Sequence, residues 1–333
     1  MTSTSKKVLV SVAIPFYNQE RYVAETLTSV LNQKTDFDYE VVCGDDGSSD
    51  MTRSILEDFQ KCYPDKIFVL FNKTNLGLLI NVKNILDNCR GKYIALLGGD
   101  DLFLRADKLQ LQYDFLENNS DYGLVHSDCN LLVEKPFAKP NIIGSWREHK
   151  KIQIKTGYVF NDLIIRNFIV ASTAFFRREL YSFHADFETW RSMGFMMEDY
   201  PMWLEFSKKC KFGYISEPLS TYRLLFNTVS RPKGRKKFFN FWKSSFEVRR
   251  YFIKKYGADE QVYKNFMKIF YLFYLDYAFI FRDKKMSAEA IEYFRSEGKM
   301  TRLMGVYDLG IKVWPIWFFI RIGRKFTKYL RIR

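Results

Sequence analysis

The sequence predicts an α/β fold, with a mixed, mostly parallel sheet flanked by helices and followed by a C-terminal helical extension. In the first hundred residues, short apolar runs rich in β-branched side chains alternate with segments of helical periodicity. Polar, turn-forming clusters follow these runs, where the carboxyl ends of parallel strands would lie. The last hundred residues change to long helical patterns rich in Phe, Tyr, Lys and Arg.

The first four strands and three helices follow from these patterns. Residues 8–14 are a β-branched apolar run that stops at Pro15, which is typical of a buried parallel strand. Residues 20–32 place Val23, Leu27 and Val30 at helical spacing. The same criteria predict strands at 39–43, 67–71 and 93–97, and helices at 52–61 and 80–88. Their alternating order predicts a parallel sheet with helices on both faces.

The elements beyond residue 100 are less regular. The patterns predict a helix at 108–117, strands at 123–126 and 172–176, and a helix beginning near Glu198-Asp199. After the turn-rich stretch 231–234 the composition shifts to long basic helices. We therefore predict a first domain of residues 1–228 and a second, helical domain of residues 229–333.

The net charge of +14 is unevenly distributed along the chain. Residues 231–333 carry 25 Lys and Arg against 9 Asp and Glu, whereas residues 1–230 carry 27 basic and 29 acidic groups. A basic segment favours an anionic surface, such as nucleic acid, anionic lipid or a phosphorylated acceptor. Five scattered cysteines without metal-ligand spacing predict reduced thiols, and the polar N-terminus predicts no secretory signal. These features favour a cytoplasmic location.

Four polar clusters fall at consecutive predicted strand ends. They are residues 15–18 (Pro-Phe-Tyr-Asn), residues 45–48 (Asp-Asp-Gly-Ser), Asn75, and residues 98–101 (Gly-Gly-Asp-Asp). Because the carboxyl ends of parallel strands meet at one edge of a sheet, we expect these clusters to converge on one crevice.

Three carboxylate pairs are candidates for the chemistry. Asp100-Asp101 needs compensation for its mutual repulsion, and a Mg²⁺ or Mn²⁺ ion bridging two phosphates would supply it, although Asp also caps helices. Asp45-Asp46 is typical of a turn, and a carboxylate there can also accept the imide N–H of uracil. Glu198-Asp199 can meet a helix dipole or supply a general base.

The C-terminal stretch 314–320 (Trp-Pro-Ile-Trp-Phe-Phe-Ile) precedes a run of Lys and Arg. Aromatic residues beside basic ones are typical of segments that contact the headgroup region of an anionic bilayer. The alternative is a C-terminal helix that packs on the first domain. No uninterrupted apolar run of about 18 residues occurs, so a spanning helix is not expected.

Five motifs in order resemble those of family 2 glycosyltransferases over about residues 8–225. They are residues 10–18, residues 45–50, Asn75-Leu76-Gly77, residues 91–97 with Asp100-Asp101, and Glu198-Asp199. The resemblance implies the GT-A fold, a nucleotide-sugar donor, a divalent cation, and sugar transfer with inversion, as in bacterial capsule or lipopolysaccharide-type glycan synthesis.

The resemblance also implies roles for individual residues. Pro15, Phe16 and Tyr17 would line the nucleobase pocket, and Asp46 would bind the base, with Asn75 nearby. Asp100 and Asp101 would contact ribose and metal, with Asp101 as the direct metal ligand. Asp199 would be the catalytic base, with Glu198 beside it. Arg223 would lie in a loop that closes over the donor and would face the diphosphate.

One position departs from the family pattern. The family often carries a further acidic residue two places before Asp100, and this chain has Gly98 there. Metal binding would then depend on fewer carboxylates.

The hypothesis is an inverting hexosyl- or N-acetylhexosaminyl-type transferase that moves a sugar, in the first instance from a UDP-sugar, to a lipid-linked or cell-surface glycan. It would lie on the inner face of the membrane through its C-terminal extension. A sugar-nucleotide pyrophosphorylase would need a Gly-rich basic loop after the first strand, and a dinucleotide oxidoreductase would need the motif GxGxxG there. This sequence has Pro-Phe-Tyr-Asn at residues 15–18 instead, which argues against both classes of enzyme. A non-enzymatic protein that binds an anionic surface would leave the polar strand ends without a role. Nucleic acid is not an expected partner, because residues 1–230 are slightly acidic and would repel a phosphate backbone.

Overall fold

The computed structural model describes residues 8–134, 139–225, 228 and 233–313. The strands are β1 (Val10–Phe16), β2 (Tyr39–Asp45), β3 (Ile67–Phe71), β4 (Tyr93–Leu96), β5 (Leu102–Phe103), β6 (Tyr122–Val133), β7 (Asn141–Ser145), β8 (Phe175–Arg177) and β9 (Lys211–Leu224). The first helices are α1 (Val23–Leu31), α2 (Thr52–Cys62), α3 (Leu78–Asp87), α4 (Lys108–Asn118), α5 (Trp146–Lys150), α6 (Phe160–Ile165), α7 (Arg178–His184), α8 (Phe187–Ser192) and α9 (Asp199–Phe206). The long helices that follow are α10 (Arg235–Tyr256), α11 (Glu260–Phe281), α12 (Lys284–Ser296) and α13 (Arg302–Lys312).

The described strands form one mixed sheet in the order β3-β2-β1-β4-β8-β6-β9-β5, with β7 paired to β6. The first four strands are parallel, as predicted, so their carboxyl ends share one edge. The β8 strand is antiparallel to both β4 and β6, and β9 runs parallel to β6. The predicted α/β class, with a mixed sheet and a helical C-terminal region, is confirmed.

Alternation along β1 explains how the sheet is covered on two faces. Val10, Val12, Ile14 and Phe16 point into an apolar core shared with one side of α1, because successive strand residues face opposite sides. On the other face α3 lies so close to β2 that a Cβ at Gly44 would be 2.7 Å from the Ile85 side chain.

The sequence predicted that the first strand stops at Pro15. In the structure β1 instead continues through Pro15 to Phe16. The N–H of Leu97 donates to the carbonyl of Ala13, and β4 ends at Leu96, opposite Ala13. The nitrogen of Pro15 therefore lies past the end of β4, where no donor to that strand is needed.

Two compact units divide the chain, one ending at Gly257 and the other beginning at Ala258. The first unit includes α10, which packs against α9. In the second, α11, α12 and α13 pack together, with a stacked pair of rings from Tyr271 and Tyr293 at 4.3 Å. The functional boundary predicted at residue 228 stays a prediction.

Candidate active site

The ends of β1 and β2 and the loop after β3 lie together. Asp45 pairs with Phe16 across the two strands, and the N–H of Asp46 donates to the carbonyl of Phe16 at 2.9 Å. Gly47 has a positive φ of 69°, and a Cβ there would be 2.9 Å from the backbone nitrogen of Asn75. Three of the predicted polar clusters are thus brought together at this edge of the sheet.

Asp46 is buried, and both of its carboxylate oxygens accept hydrogen bonds from the protein. Oδ1 accepts the N–H of Leu76 at 2.8 Å and the amide of Asn72 at 3.1 Å, and Oδ2 accepts the N–H of Gly77 at 3.0 Å. These bonds fix the loop that presents the exposed side chain of Asn75. In this arrangement Asp46 is a structural acceptor for that loop.

Asp45, to which the sequence analysis gave no role of its own, has one carboxylate oxygen that accepts no hydrogen bond from the described residues. It is fully buried, and its Oδ1 accepts the N–H of Ser48 at 3.2 Å. Its Oδ2 has no hydrogen-bond partner. A buried carboxylate oxygen without a donor is unfavourable, so this atom is suited to a donor from a ligand.

The residues after β1 are divided between core and surface. Phe16 is 1% exposed and belongs to the apolar core, so its side chain does not face a crevice. Tyr17 is 48% exposed, and Pro15 is partly exposed. A Cβ at Gly99 would lie 2.6 Å from the carbonyl of Pro15, so the turn that carries the acidic residues crosses directly over the end of β1.

Asp100 and Asp101, the acidic pair, differ in how their carboxylates are used. Asp101 is buried; its Oδ1 accepts the N–H of Arg223 at 2.8 Å, and its Oδ2 accepts the hydroxyl of Ser172. That hydroxyl also accepts the N–H of Gly98 at 3.2 Å. The side chain of Asp100 is half-buried, and no hydrogen bond from another residue to its carboxylate occurs in the described part of the chain. Asp100 therefore has the more available carboxylate.

Arg223 lies in β9, so the expectation that it belongs to a loop is wrong. Its guanidinium is buried and donates to the carbonyl of Asp100 at 2.7 Å, to Glu25 at 2.6 Å, and to Glu134. The reason is the pairing of β5 with β9, which brings the strand beside the residues that directly follow the acidic pair.

Negative charge exceeds positive charge around this guanidinium. The guanidinium of Arg223 bonds to two carboxylates, those of Glu25 and Glu134, and its charge also acts on the carboxylates of Asp100 and Asp101. Burial raises the pKa of Asp100, and burial together with the charge of Asp100 raises the pKa of Asp101 well above its usual range. Both shifts mean that the ionised pair lacks compensation, which a bound cation would supply.

The acidic pair fits a divalent cation of the kind that takes few protein ligands. No group of three or more His, Cys, Asp and Glu side chains with metal-ligand geometry occurs in the described ranges. Mg²⁺ is commonly held by one or two carboxylates, with waters and substrate phosphates completing its shell. Two carboxylates, one of them not hydrogen-bonded, meet that requirement.

Glu198 and Asp199 lie at the start of α9, as expected. Asp199 accepts the N–H of Tyr200 at 2.7 Å. Burial raises the pKa of Asp199 to about 6, and burial and the charge of Asp199 raise the pKa of Glu198 to about 8. The described residues show no hydrogen bond or ion pair between Asp199 and the acidic pair. Asp199 is thus the more acidic member of a pair of carboxyl groups whose pKa values are both raised.

Helix α10 supports the turn before α9. The hydroxyl of Ser244 accepts the N–H of Met196 at 2.9 Å, and Lys255 contacts the buried Glu205 at 2.8 Å. The sequence assigned α10 to the extension, and nothing in its pattern indicated these contacts. Ser172, Glu25 and Glu134 were likewise missed, because each is a single polar residue outside any motif.

No helix in the described part of the chain is long and apolar enough to cross a membrane. The aromatic and basic stretch predicted to contact a bilayer, residues 314–333, lies outside the described residues.

Comparison with known proteins identifies the family. A model for "Glycosyl transferase family 2" matches residues 11–183. An uncharacterized glycosyltransferase of Haemophilus influenzae is 27% identical over 97% of this chain and 98% of its own length. The uncharacterized protein Rv1520 of Mycobacterium tuberculosis is 31% identical over 49% of this chain, which spans only 45% of Rv1520.

A solved structure shares the fold. The mannosyltransferase PcManGT of Pyrobaculum calidifontis has a TM-score of 0.52 and 16% identity, over 98% of this chain and 82% of that one. Because the family model matches more than half of the sequence, and includes β1 to β4 and the acidic pair, this chain belongs to glycosyl transferase family 2.

Proposed function

We propose that the protein transfers a sugar, with inversion, from a nucleotide-diphospho-sugar to a hydroxyl of a lipid-linked or cell-surface glycan. The observation that carries this proposal is the acidic pair, which crosses the end of β1 beside the ends of β2 and β3 in a chain of this family. Ligands of open α/β sheets bind at such an edge.

The donor would lie across this edge. Pro15, the exposed ring of Tyr17 and the exposed Asn75 are available to the nucleoside. Asp45 replaces Asp46 as our candidate residue for binding the nucleobase, because Oδ2 of Asp45 has no hydrogen-bond partner among the described residues. A UDP-sugar is the first candidate, since a carboxylate can accept the imide N–H of uracil. PcManGT is described in complex with GDP-Man and Mn²⁺, so GDP-sugars belong in the same test.

The acidic pair would hold Mg²⁺ or Mn²⁺, with Asp100 rather than Asp101 as the more available ligand. Such an ion, when bound, offsets the charge that the nucleoside diphosphate gains as it departs. The residues around the pair contribute a fixed geometry, because Ser172 bonds to both Gly98 and Asp101. Arg223 was expected to face the diphosphate, but its guanidinium already bonds to two carboxylates.

Asp199 would act as the general base, with Glu198 beside it. The acceptor oxygen attacks the anomeric carbon, its proton passes to the Asp199 carboxylate, and the bond from the anomeric carbon to the phosphate oxygen breaks, with its electron pair leaving on the diphosphate. A base with a pKa of about 6 is ionised at neutral pH and remains basic enough to take the proton.

The acceptor side is proposed from charge. Helix α10 exposes seven cations and a Trp242 ring that is 40% exposed; the cations are Arg235, Lys236, Lys237, Lys243, Arg250, Lys254 and Lys255. Basic residues near anionic lipid contribute about 1 kcal/mol each, and an amphipathic aromatic residue adds to this. We propose that residues 229–333 bring the enzyme to the inner membrane face, where lipid-linked acceptors are found.

A donor screen tests the proposal. UDP- and GDP-hexoses and N-acetylhexosamines are added with Mn²⁺, Mg²⁺ or EDTA, and the melting temperature is measured, because a ligand that binds only the folded state stabilises it. One family of donors should raise the melting temperature more with metal than with EDTA. A shift with a sugar 1-phosphate and nucleoside triphosphate instead would favour the alternative, a sugar-nucleotide pyrophosphorylase. No shift with any of these ligands would favour the other alternative, a non-enzymatic protein binding an anionic surface.

Two variants test the remaining parts. Asp199→Asn should abolish transfer while donor binding stays within about twofold, since the base does not hold the donor. Deleting residues 310–333 should release the protein from vesicles that contain anionic lipid. Recovery with the vesicles equal to that of the full chain would contradict membrane attachment through this segment.

A further inference from the structure

Arg223 joins three separate segments through its side chain. Its Nε donates to the carbonyl of Asp100 at 2.7 Å, and its two terminal nitrogens bond to Glu25 on α1 and to Glu134 directly after β6. The side chain is only 4% exposed. The ring of Tyr22 covers the guanidinium at 4.8 Å, and the Tyr22 hydroxyl donates to Glu134 at 3.3 Å.

The main chain of Arg223 makes a separate contact with the same turn. Its N–H donates to Oδ1 of Asp101 at 2.8 Å, and this bond follows from the pairing of Leu102 with Thr221. The main chain therefore orients the carboxylate of Asp101. The side chain holds the carbonyl of Asp100, which is the peptide group between the two acidic residues.

We propose that Arg223 is a positioning residue for the acidic pair, that Glu25 and Glu134 hold its guanidinium, and that it does not bind the donor diphosphate. This inference rests on the proposed function, because the pair matters only if it binds metal and donor. A phosphate oxygen could reach the guanidinium only by displacing a carboxylate, and charge-assisted arginine–carboxylate bonds are among the strongest hydrogen bonds in proteins.

Lysine could not replace Arg223 in this role. The guanidinium is a rigid plane that sends hydrogen bonds in three directions, to one carbonyl and two carboxylates. A lysine keeps the charge on a single mobile nitrogen and loses this fork. Arg223→Lys thus keeps the positive charge and removes the fork, so the affinity that it weakens, that for metal or that for metal-free nucleotide, shows what the fork holds.

The test uses three variants of the full chain. Arg223→Lys removes the fork, and Glu134→Gln weakens the group that holds it. Arg178→Lys is the matched control, because Arg178 is partly buried and, like Arg223, donates through Nε to a main-chain carbonyl, that of Gly91 at 2.7 Å. Melting temperatures establish that each variant folds. Should Arg223→Lys fail to fold, Glu134→Gln decides the outcome alone.

Two binding constants are measured for each variant. Free Mn²⁺ is titrated by electron paramagnetic resonance in the presence of UDP and, separately, GDP, and binding of the same nucleotides is measured in EDTA. Arg223→Lys and Glu134→Gln should weaken Mn²⁺ binding by about 10- to 100-fold, the usual effect of losing a group that orients a metal ligand, with metal-free nucleotide binding unchanged. Arg178→Lys should match the wild type in both.

Other outcomes overturn the inference in distinct ways. Loss of metal-free nucleotide binding in Arg223→Lys, with Mn²⁺ affinity retained, would make Arg223 a diphosphate ligand. Unchanged constants in both Arg223→Lys and Glu134→Gln would leave the cluster a purely structural contact. If the wild type binds neither Mn²⁺ nor nucleotide, the proposed function itself fails, whereas a binding wild type with unaffected variants defeats only the positioning role.

Discussion

Activity should depend on the ionisation of Asp199, and the structure sets the pH at which that occurs. Its pKa is raised to about 6, and that of Glu198 to about 8. With a pKa of about 6, about 90% of Asp199 is ionised at pH 7 and about 10% at pH 5. Because only the ionised form accepts the proton, kcat/KM should be near its plateau at pH 7 and about tenfold lower at pH 5.

The assay is release of nucleoside diphosphate at saturating metal, measured from pH 5 to 9 for the wild type, Asp199→Asn and Glu198→Gln. Asp199→Asn should lower kcat by about 10²–10⁴, with no limb near pH 6. Glu198→Gln should keep that limb and lose any change near pH 8. Donor binding to Asp199→Asn at pH 5 and 7 controls for titration of the donor site. A wild-type profile that is flat between pH 5 and 7, or an active Asp199→Asn, would refute the assignment of the base.

Three further substitutions test the surroundings of the site. Gly98→Ala would place a Cβ 2.9 Å from the nearest carboxylate oxygen of Asp101, so Mn²⁺ affinity measured by electron paramagnetic resonance should fall by about tenfold; equal affinity would mean that the pair adjusts freely. Ser244→Ala loses the acceptor for the N–H of Met196 and should lower stability to urea by about 1 kcal/mol and reduce kcat, with donor affinity unchanged. Burial lowers the pKa of Lys108 to about 7, so unfolded chains bind its proton more readily between pH 7 and 10. The free energy of unfolding of the wild type, relative to that of Lys108→Met, should therefore rise by about 1.4 kcal/mol per pH unit in that range. Urea unfolding measures both free energies, and a difference that does not change with pH would contradict the prediction.

The first half of the fold follows closely from the sequence, for a physical reason. Parallel strands covered on both faces are continuous apolar runs, and these are visible without any partner. The β3 strand has the predicted limits, Ile67–Phe71, and β2 and β4 differ from the prediction only at their ends. The end of β1 lies two residues beyond the prediction, and it depends on where the neighbouring β4 stops, which no local pattern encodes.

The β9 strand was missed because its stability comes from a distant partner. Gly213 and Pro218 interrupt its sequence and are typical of a turn. Its partner β6 changes register at Asp128, the residue paired with Pro218, so the proline lies at an irregularity and not in a regular ladder. The expectation that Arg223 lies in a loop came from the family resemblance, and no strand was predicted here to oppose it.

The sequence placed the candidate residues at one edge of the sheet, where the structure also brings them together, but it favoured Asp46 and Asp101, whereas the hydrogen bonds favour Asp45 and Asp100. Asp45 and Asp46 are adjacent and chemically identical, and only the hydrogen bonds distinguish them. Asp46 uses both oxygens to hold the loop after β3, whereas Asp45 keeps one oxygen without a partner. Asp100 and Asp101 differ in the same way. In each pair, therefore, one carboxylate uses both oxygens as acceptors for other residues, and the other has at least one oxygen without such a donor among the described residues.

Gly98 fits this division of roles. The family often has an acidic residue at this position, and its replacement by glycine suggested a metal site with fewer ligands. A Cβ on Gly98 would lie 2.9 Å from Oδ2 of Asp101 and 3.2 Å from Oδ1 of Asp100, so oxygens of both carboxylates already occupy the space where a side chain would begin. Glycine therefore leaves this space to the two carboxylates. Ser172 and Arg223 hold the turn in this arrangement through hydrogen bonds to Gly98, Asp100 and Asp101, so the proposed metal site would depend on them as well as on the acidic pair.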